Sequence, residues 1–434
     1  MKAFHSFLKH KKSIAITLLA GFAGIIGGLV ALFGLAMVSP IPAVFIGGGL
    51  LTFACVTAGI TYLGTRTDRR QWATMTVWAI GLPVIAVTAA QLLLQPQFPP
   101  RILLAPQLSY WQLPGGSRIA YRKIPAQAAS QKEPVIFVHG GPGVPDMQGD
   151  SAFFGQLAQY GHDVYVYDEL GTGYSSRLQD PTGYGVARDA RDLEEIRAAI
   201  GAEKVILIGH SYGGGVVARY MAEHPDHVTK LILSSPGSVD TGVNDTSGQS
   251  IQARLSGDQK GNLYRYLMEP RALLTYSLLQ INPRAAYAFS GDDVMDPRFD
   301  LVYQATETAM HCKGSTVPSK NLTGLGFYAA QIPQSATYAQ PPSIRSALGG
   351  ITTPVLIIKP SCDYLPWESA IDYKHTLGSA VVTLAYIRDA GHNSYQEKPQ
   401  EYLATLRAFL EGAPMANTYT SDEKPSDFNS DIAN

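Results

Sequence analysis

The sequence predicts an α/β fold: a parallel sheet covered on both faces by helices, interrupted by a mainly helical cap and preceded by three transmembrane helices. Three observations predict it. Short apolar runs alternate with helical periodicities over residues 107–236 and again over 350–412. That alternation breaks over 237–349, a stretch rich in Ser, Thr, Gly and Pro with scattered helical patches. Upstream lie three charge-free apolar runs, each reaching or exceeding the ~20 residues a helix needs to cross a bilayer core. Charged residues make up only 16% of the chain, against about 25% in soluble domains, so part of it is expected not to face water.

The apolar runs are 13–38, 41–64 and 73–94, and together they predict a membrane domain over residues 1–98. Gly24 and Gly28 stand four apart in the first run, a spacing that lets helices approach closely. A removable signal peptide is the competing reading of that run. Its apolar stretch is too long for one, and two further runs follow. Lys2, Lys9, Lys11 and Lys12 precede the first run, and Arg66, Arg69 and Arg70 separate the second from the third. Basic flanks stay in the cytoplasm. The expected topology is therefore a multi-pass protein with a cytoplasmic N-terminus and everything after Leu94 on the outer side. None of the three runs carries an ionisable pathway residue, which argues against a transporter.

After a Pro-rich linker (95–106), the runs 108–113 and 118–124 flank Gly115-Gly116 and predict an opening hairpin. Buried strands are expected at 135–138, 164–167, 205–208 and 231–233, with helices at 187–200 and 216–223. Strand signals return at 355–358 and 381–387, and 400–410 has the pattern of a closing amphipathic helix. Residues 413–434 are rich in Ser, Asp, Asn and Pro and are expected to be disordered.

Gly209-His210-Ser211-Tyr212-Gly213 fits G-x-S-x-G between a predicted strand and a predicted helix, the context that motif requires. A serine there sits on a sharp turn that exposes its Oγ, and Gly209 and Gly213 leave room for the close approach. A serine hydroxyl needs a base. His392, in Ala390-Gly391-His392-Asn393 after the last strand, is the best placed. His210 is inside the turn, His139 opens a glycine loop, and His224 and His227 close a surface helix. Asp363, after the strand 355–358, is the natural orienting acid. Asp389 and Asp372 are its rivals, one too close in sequence to His392 and one within a helix. The oxyanion donors are expected to be the N–H of Tyr212 and that of Gly141, with Gly140 second, from His139-Gly140-Gly141-Pro142-Gly143. This chemistry calls for no cofactor and no metal.

His139-Gly140-Gly141-Pro142-Gly143, Asp168-Glu169-Leu170-Gly171-Thr172-Gly173-Tyr174-Ser175, the Ser211 turn and Gly391-His392 together resemble the proline iminopeptidase family of α/β-hydrolases. The resemblance spans about 108–410. It implies the α/β-hydrolase fold and removal of an N-terminal proline, or another residue, from short peptides. Glu169 and Leu170 stand where that family's pattern has Gln and Arg. A free α-amino group calls for nearby carboxylates, and Asp292, Asp293, Asp296 and Glu307 are candidates.

The expected function is a membrane-anchored serine hydrolase acting through an acyl-enzyme, with a small peptide as substrate. A carboxylesterase or lipase-like hydrolase is the alternative within enzymes. A non-catalytic ligand receptor on the same fold is the rival class. The lipid bilayer is the one macroscopic partner expected. A net charge of −1 leaves no electrostatic footprint for nucleic acid, and no feature specifies an oligomeric state. Cys55 lies in an apolar run, which leaves Cys312 and Cys362 either as free thiols or as a disulfide.

Overall fold

The computed structural model describes residues 2–64, 108–127, 132–240, 251–317, 324–335, 341–378 and 380–430, with isolated positions between 81 and 90, and side chains from residue 15 onward. Two compact units divide the chain. One combines the described part of Met1–Phe98 with Met268–Val294, and the other combines Pro99–Leu267 with Met295–Asn434. Helices of seven or more residues are, in chain order, α1 (Lys2–Val38), α2 (Pro42–Gly64), α3 (Met147–Phe154), α4 (Val186–Ala199), α5 (Tyr212–Glu223) and α6 (Gly257–Leu267). They continue with α7 (Pro270–Leu279), α8 (Pro283–Phe289), α9 (Asp292–Thr306), α10 (Trp367–Thr376) and α11 (Pro399–Glu411).

In the first unit, α1 and α2 pack as a helical hairpin. Two helices, Ala15–Val38 and Pro42–Gly64, are long and apolar enough to cross a membrane. A Cβ on Gly28 would come 3.0 Å from the Gly49 carbonyl, and one on Gly49 would come 3.0 Å from the Gly28 carbonyl. These glycines therefore set the backbone separation. Thr57 Oγ1 donates to the Ala20 carbonyl at 3.4 Å across the same seam. The expected third span, 73–94, lies outside the described residues apart from isolated positions.

The second unit is built on one sheet of eight strands: β1 (Ser109–Gln112), β2 (Arg118–Ile124), β3 (Lys132–Val138), β4 (His162–Tyr167), β5 (Val205–His210), β6 (Val228–Ser234), β7 (Val355–Cys362) and β8 (Val382–Gly391). Their spatial order is β1-β2-β4-β3-β5-β6-β7-β8. From β4 to β8 every pairing is parallel, and β1 and β2 add an antiparallel edge. The sheet is therefore mixed: the five residues between β1 and β2 are too few for the crossover a parallel pair needs. Central strands such as Val205-Ile206-Leu207-Ile208 are buried on both faces, as continuous apolar runs in parallel sheets are. Phe137 stacks on Phe154 of α3 at 3.8 Å between ring centroids. Tyr402, Leu406 and Phe409 of α11 close the same core.

Between β6 and β7 the chain leaves the sheet for a mainly helical insertion. Its helical periodicity over 262–279 resolves into α6 and α7, split at Pro270, with the Glu269 carboxylate capping the second helix through Ala272 N–H at 3.0 Å. The stretch 413–430 departs from the expected disorder. Tyr386 N–H donates to the Asn417 carbonyl at 2.9 Å, Tyr419 N–H to Leu384 at 2.7 Å and Asn429 N–H to Ser361 at 2.7 Å. β8 is an edge strand with backbone groups to satisfy, and this polar tail covers it. Composition reported the tail's solubility and missed that backbone pairing needs no apolar side chain.

Candidate active site

Ser211 joins β5 directly to α5. Its backbone lies at φ 54° and ψ −115°, a conformation costing a non-glycine residue of order 1–3 kcal/mol. The surroundings enforce it. Ser211 N–H donates to the Ser234 carbonyl on β6 at 2.8 Å. A Cβ on Gly209 would run into the Gly213 carbonyl and Val217, and one on Gly213 into the carbonyls of Val138 and His139. Only glycine at both positions lets α5 start against the sheet. Ser211 is buried, 6% exposed, and faces a cavity of about 660 Å³.

His392 lines the same cavity. Its Nδ1 lies 2.7 Å from Asp363 Oδ1, so the ring donates there and Nε2 is its accepting nitrogen. The other Asp363 oxygen is 2.8 Å from Lys359 Nζ, and both side chains are fully buried. Burial alone would raise the Asp363 carboxyl, but the Lys359 ammonium and His392 together hold it below the ordinary carboxylate value. Arg254, 2% exposed, donates to the carbonyls of Cys362 and Asp363, each at 2.7 Å. Cys312 and Cys362 are joined in a disulfide, which resolves the open alternative for that pair. The bond ties the residue before Asp363 to the segment whose Met310 carbonyl accepts from His392 N–H at 2.7 Å. The rival acids are engaged elsewhere. Asp372 pairs with Arg345 at 2.6 Å, and Asp389 is solvent-exposed and lies 3.9 Å from Lys398.

The glycine loop lies directly over the serine. A Cβ on Gly140 would come 3.0 Å from Ser211 Cβ, and Gly141 holds φ 133° against the backbone of Gly143 and Val144. His139 fixes this loop rather than acting as a base. Its Nε2 accepts from Glu169 N–H at 3.1 Å, which leaves Nδ1 to donate to the Gly140 carbonyl at 2.8 Å. Gly140, Gly141 and Tyr212 all line the cavity beside Ser211. Behind them, Tyr212 donates its hydroxyl to Asp189 at 2.6 Å. Burial pushes the carboxyls of Asp189 and Asp168 up to about 7, and that of Glu169 well above its usual range.

The remaining cavity wall comes from the insertion, with Ile251, Phe299, Val302, Tyr303 and Met310 giving it an apolar face. Of the proposed amine-binding acids, Asp296 pairs with Arg177 at 3.1 Å, Asp292 accepts from the Tyr287 hydroxyl at 3.1 Å, and Glu307 is buried in a short 3-10 turn. Asp240, paired with Arg345 at 2.8 Å, lines the cavity. Elsewhere, Glu194, His224 and His227 bring ligand-type atoms within 4.8 Å of one another. That carboxylate already serves Arg197 at 2.6 Å and Tyr220 at 2.6 Å.

A family model for the α/β hydrolase fold matches residues 133–260. Among solved structures, the proline iminopeptidase of Mycobacterium smegmatis is 19% identical with a TM-score of 0.46, covering 70% of this chain and 98% of its own. The proline iminopeptidase of Heyndrickxia coagulans is 35% identical over 123 residues, 28% of this chain and 40% of its own length. That of Lactobacillus helveticus is 28% identical over 289 residues, 65% of this chain and 91% of its own length. The chain has the α/β-hydrolase fold and is similar in sequence to proline iminopeptidases.

Three residues of the hydrolase's site escape a reading of the sequence. Lys359 follows four apolar residues within β7, and a lysine in a run buried on both faces is the one available signal of a paired charge. Arg254 sits more than a hundred residues before the acid loop it holds. Tyr364 lines the cavity with Ser211 and its ring lies tilted against His392 at 4.5 Å between centroids. Its only signal was adjacency to Asp363.

Proposed function

We propose that the chain is a membrane-anchored aminopeptidase of the proline iminopeptidase type, acting on short peptides through Ser211, His392 and Asp363. The observation that carries this is Ser211 on a strained strand-to-helix turn, sharing one cavity with a histidine whose Nδ1 is bonded to a buried, charge-held carboxylate. Ser211 Oγ attacks the carbonyl carbon of the substrate's first residue while His392 Nε2 takes its proton. Negative charge develops on the carbonyl oxygen, where the N–H groups of Tyr212 and Gly141, or Gly140, donate. His392 gives the proton to the leaving amine, which departs and leaves an acyl-enzyme; His392 then takes a proton from water as its oxygen attacks the acyl carbon, the bond to Ser211 Oγ breaks, and the proton returns to Ser211. Asp363 keeps the imidazole in the productive tautomer and offsets the imidazolium charge.

Membrane anchoring rests on the two long apolar helices, and the basic residues before α1 favour a cytoplasmic N-terminus. A disulfide between Cys312 and Cys362 fits an oxidising compartment for the hydrolase unit. The apolar wall of Ile251, Phe299, Val302 and Met310 favours a second reading, a carboxylic ester hydrolase, because such a face suits an uncharged acyl or alkyl group.

A fluorophosphonate probe is expected to label the full chain and to lose all labelling in Ser211→Ala; labelling that survives in that variant overturns the assignment. On the wild type, a prolyl arylamide should be cleaved faster than a short-chain aryl ester. The reverse order favours the second reading, and no turnover of either with tight small-molecule binding favours a receptor.

A further inference from the structure

The insertion divides between the two units. Its helices α7 and α8 belong with α1 and α2, while α6 belongs with the sheet. One side chain makes the junction. Asn282 caps α8, its Oδ1 accepting from Arg284 N–H at 3.1 Å and Ala285 N–H at 3.3 Å. The same residue's Nδ2 donates to the Ala36 carbonyl at 2.8 Å. Ala36 lies in the last turn of α1, where helix carbonyls have no partner within the helix. A single amide therefore serves the end of an apolar helix and the start of an insertion helix.

The composition of this hairpin matches that location. From Pro270 to Gly291 there is no carboxylate and no lysine. Arg271 is turned inward, donating to the Phe289 carbonyl at 2.8 Å with its guanidinium 4.5 Å from the Phe289 ring centroid. The exposed large apolar side chains are Leu273 at 44% and, just before the hairpin, Met268 at 61%; Arg284, Gln280 and Ala288 are exposed beside them. Apolar side chains beside arginine and tyrosine, at the level where a helix leaves the hydrocarbon, are the composition of an interfacial element.

We propose that the α7–α8 hairpin is a membrane-interface element: it seats on the outer end of α1 through Asn282 and lays Leu273 and Met268 among the lipid headgroups of the bilayer that α1 and α2 cross. The proposal rests on reading α1 and α2 as membrane spans. It gives the insertion two ends with different neighbours. Residues 299–310 wall the cavity at Ser211, and residues 270–289 meet the lipid.

The full chain, carrying Cys55→Ser so that introduced thiols alone react, is reconstituted in vesicles of phosphatidylcholine with one quarter phosphatidylglycerol. Spin labels are placed in separate variants, Leu29→Cys on the exposed face of α1, Leu273→Cys on the hairpin and Lys424→Cys on the tail. The accessibility of each label to oxygen is compared with its accessibility to a water-soluble nickel chelate. Leu29 should be deep in lipid, Leu273 shallow but lipid-accessible, and Lys424 in water. Adding Asn282→Ala should shift the Leu273 label to the aqueous pattern. A Leu273 label that behaves like Lys424 while Leu29 stays in lipid overturns the hairpin's role. A Leu29 label in water overturns the membrane reading beneath it, and a Leu273 label that keeps its depth in Asn282→Ala overturns Asn282 as the seat.

Discussion

Two groups of buried carboxylates flank Ser211, and they are treated in opposite ways. Beyond β7, Asp363 is met by Lys359 at 2.8 Å, by His392 at 2.7 Å and by Arg254 at its carbonyl. Beyond β4, Asp168, Glu169 and Asp189 are equally buried, and the Glu169 Oε1 and Asp168 Oδ1 atoms have no hydrogen-bond partner among the described residues. Burial raises both groups of acids, and only the first has an ammonium close enough to reverse the effect. The difference teaches which charge the site uses. Asp363 is held in its charged form beside His392. The acids behind the glycine loop are instead shifted toward their neutral forms by burial.

Removing the used charge is the harshest way to break this comparison. Asp363→Asn keeps the shape but offers His392 no carboxylate and favours the wrong tautomer, so kcat should fall roughly 10⁴-fold. Single-turnover acylation by a prolyl arylamide reads it, and a loss below about tenfold would remove Asp363 from its role.

Lys359→Met is the next step down. It leaves the Asp363 charge buried without its ammonium, which costs about 3–5 kcal/mol where one partner of a buried pair is lost. The sign follows from the depressed carboxyl. Its stabilisation is present above the ordinary aspartate value and is lost as pH falls through the lowered one. In Lys359→Met that loss, and the acid limb of kcat/KM, should move to higher pH, with activity at pH 7 down about 10- to 100-fold. An acid limb that does not move would show that His392 alone sustains the charge.

The regions also differ in how far they could be read from residues alone. The strands beneath Ser211 were legible because an apolar run of four to seven residues bounded by glycine has few other solutions. Ser211 and His392 were visible as local strings at strand ends, and the structure brings them to one cavity. Lys359, Arg254 and Tyr364 were not visible. Their meaning lies in a neighbour that only the folded chain supplies, such as the Arg254 contact 109 positions along. The tail misled for a related reason. Residues 413–430 are polar, yet they pair by backbone with β8, and periodicity carries no record of such pairing. The insertion's split between two units was equally hidden, since Asn282 reads as an ordinary helix cap until Ala36 is beside it.

The mildest test addresses the neutral group. Glu169 stands where the similar enzymes' pattern has glutamine, and its carboxyl faces His139 at 3.7 Å together with Asp168, Asp189, Tyr167 and Tyr212. No lysine or arginine pairs with it among the described residues. Burial first, then Asp189 and Asp168, raise its carboxyl, so a protonated Glu169 should act in place of the amide. A group raised on folding contributes stability that is full below its unfolded value, near 4.3, and is lost as pH rises through the folded one. Glu169→Gln cannot ionise and escapes that loss. Its activity at pH 7 should stay within about threefold of the wild type, since the backbone N–H that orients His139 is untouched. In the solubilised full chain its stability should equal the wild type's near pH 4 and exceed it increasingly toward alkaline pH. Melting curves across that range decide the matter. A difference that does not vary with pH, or a variant less stable at high pH, would mean that Glu169 is ionised in the folded protein and that the two groups of carboxylates are not opposites.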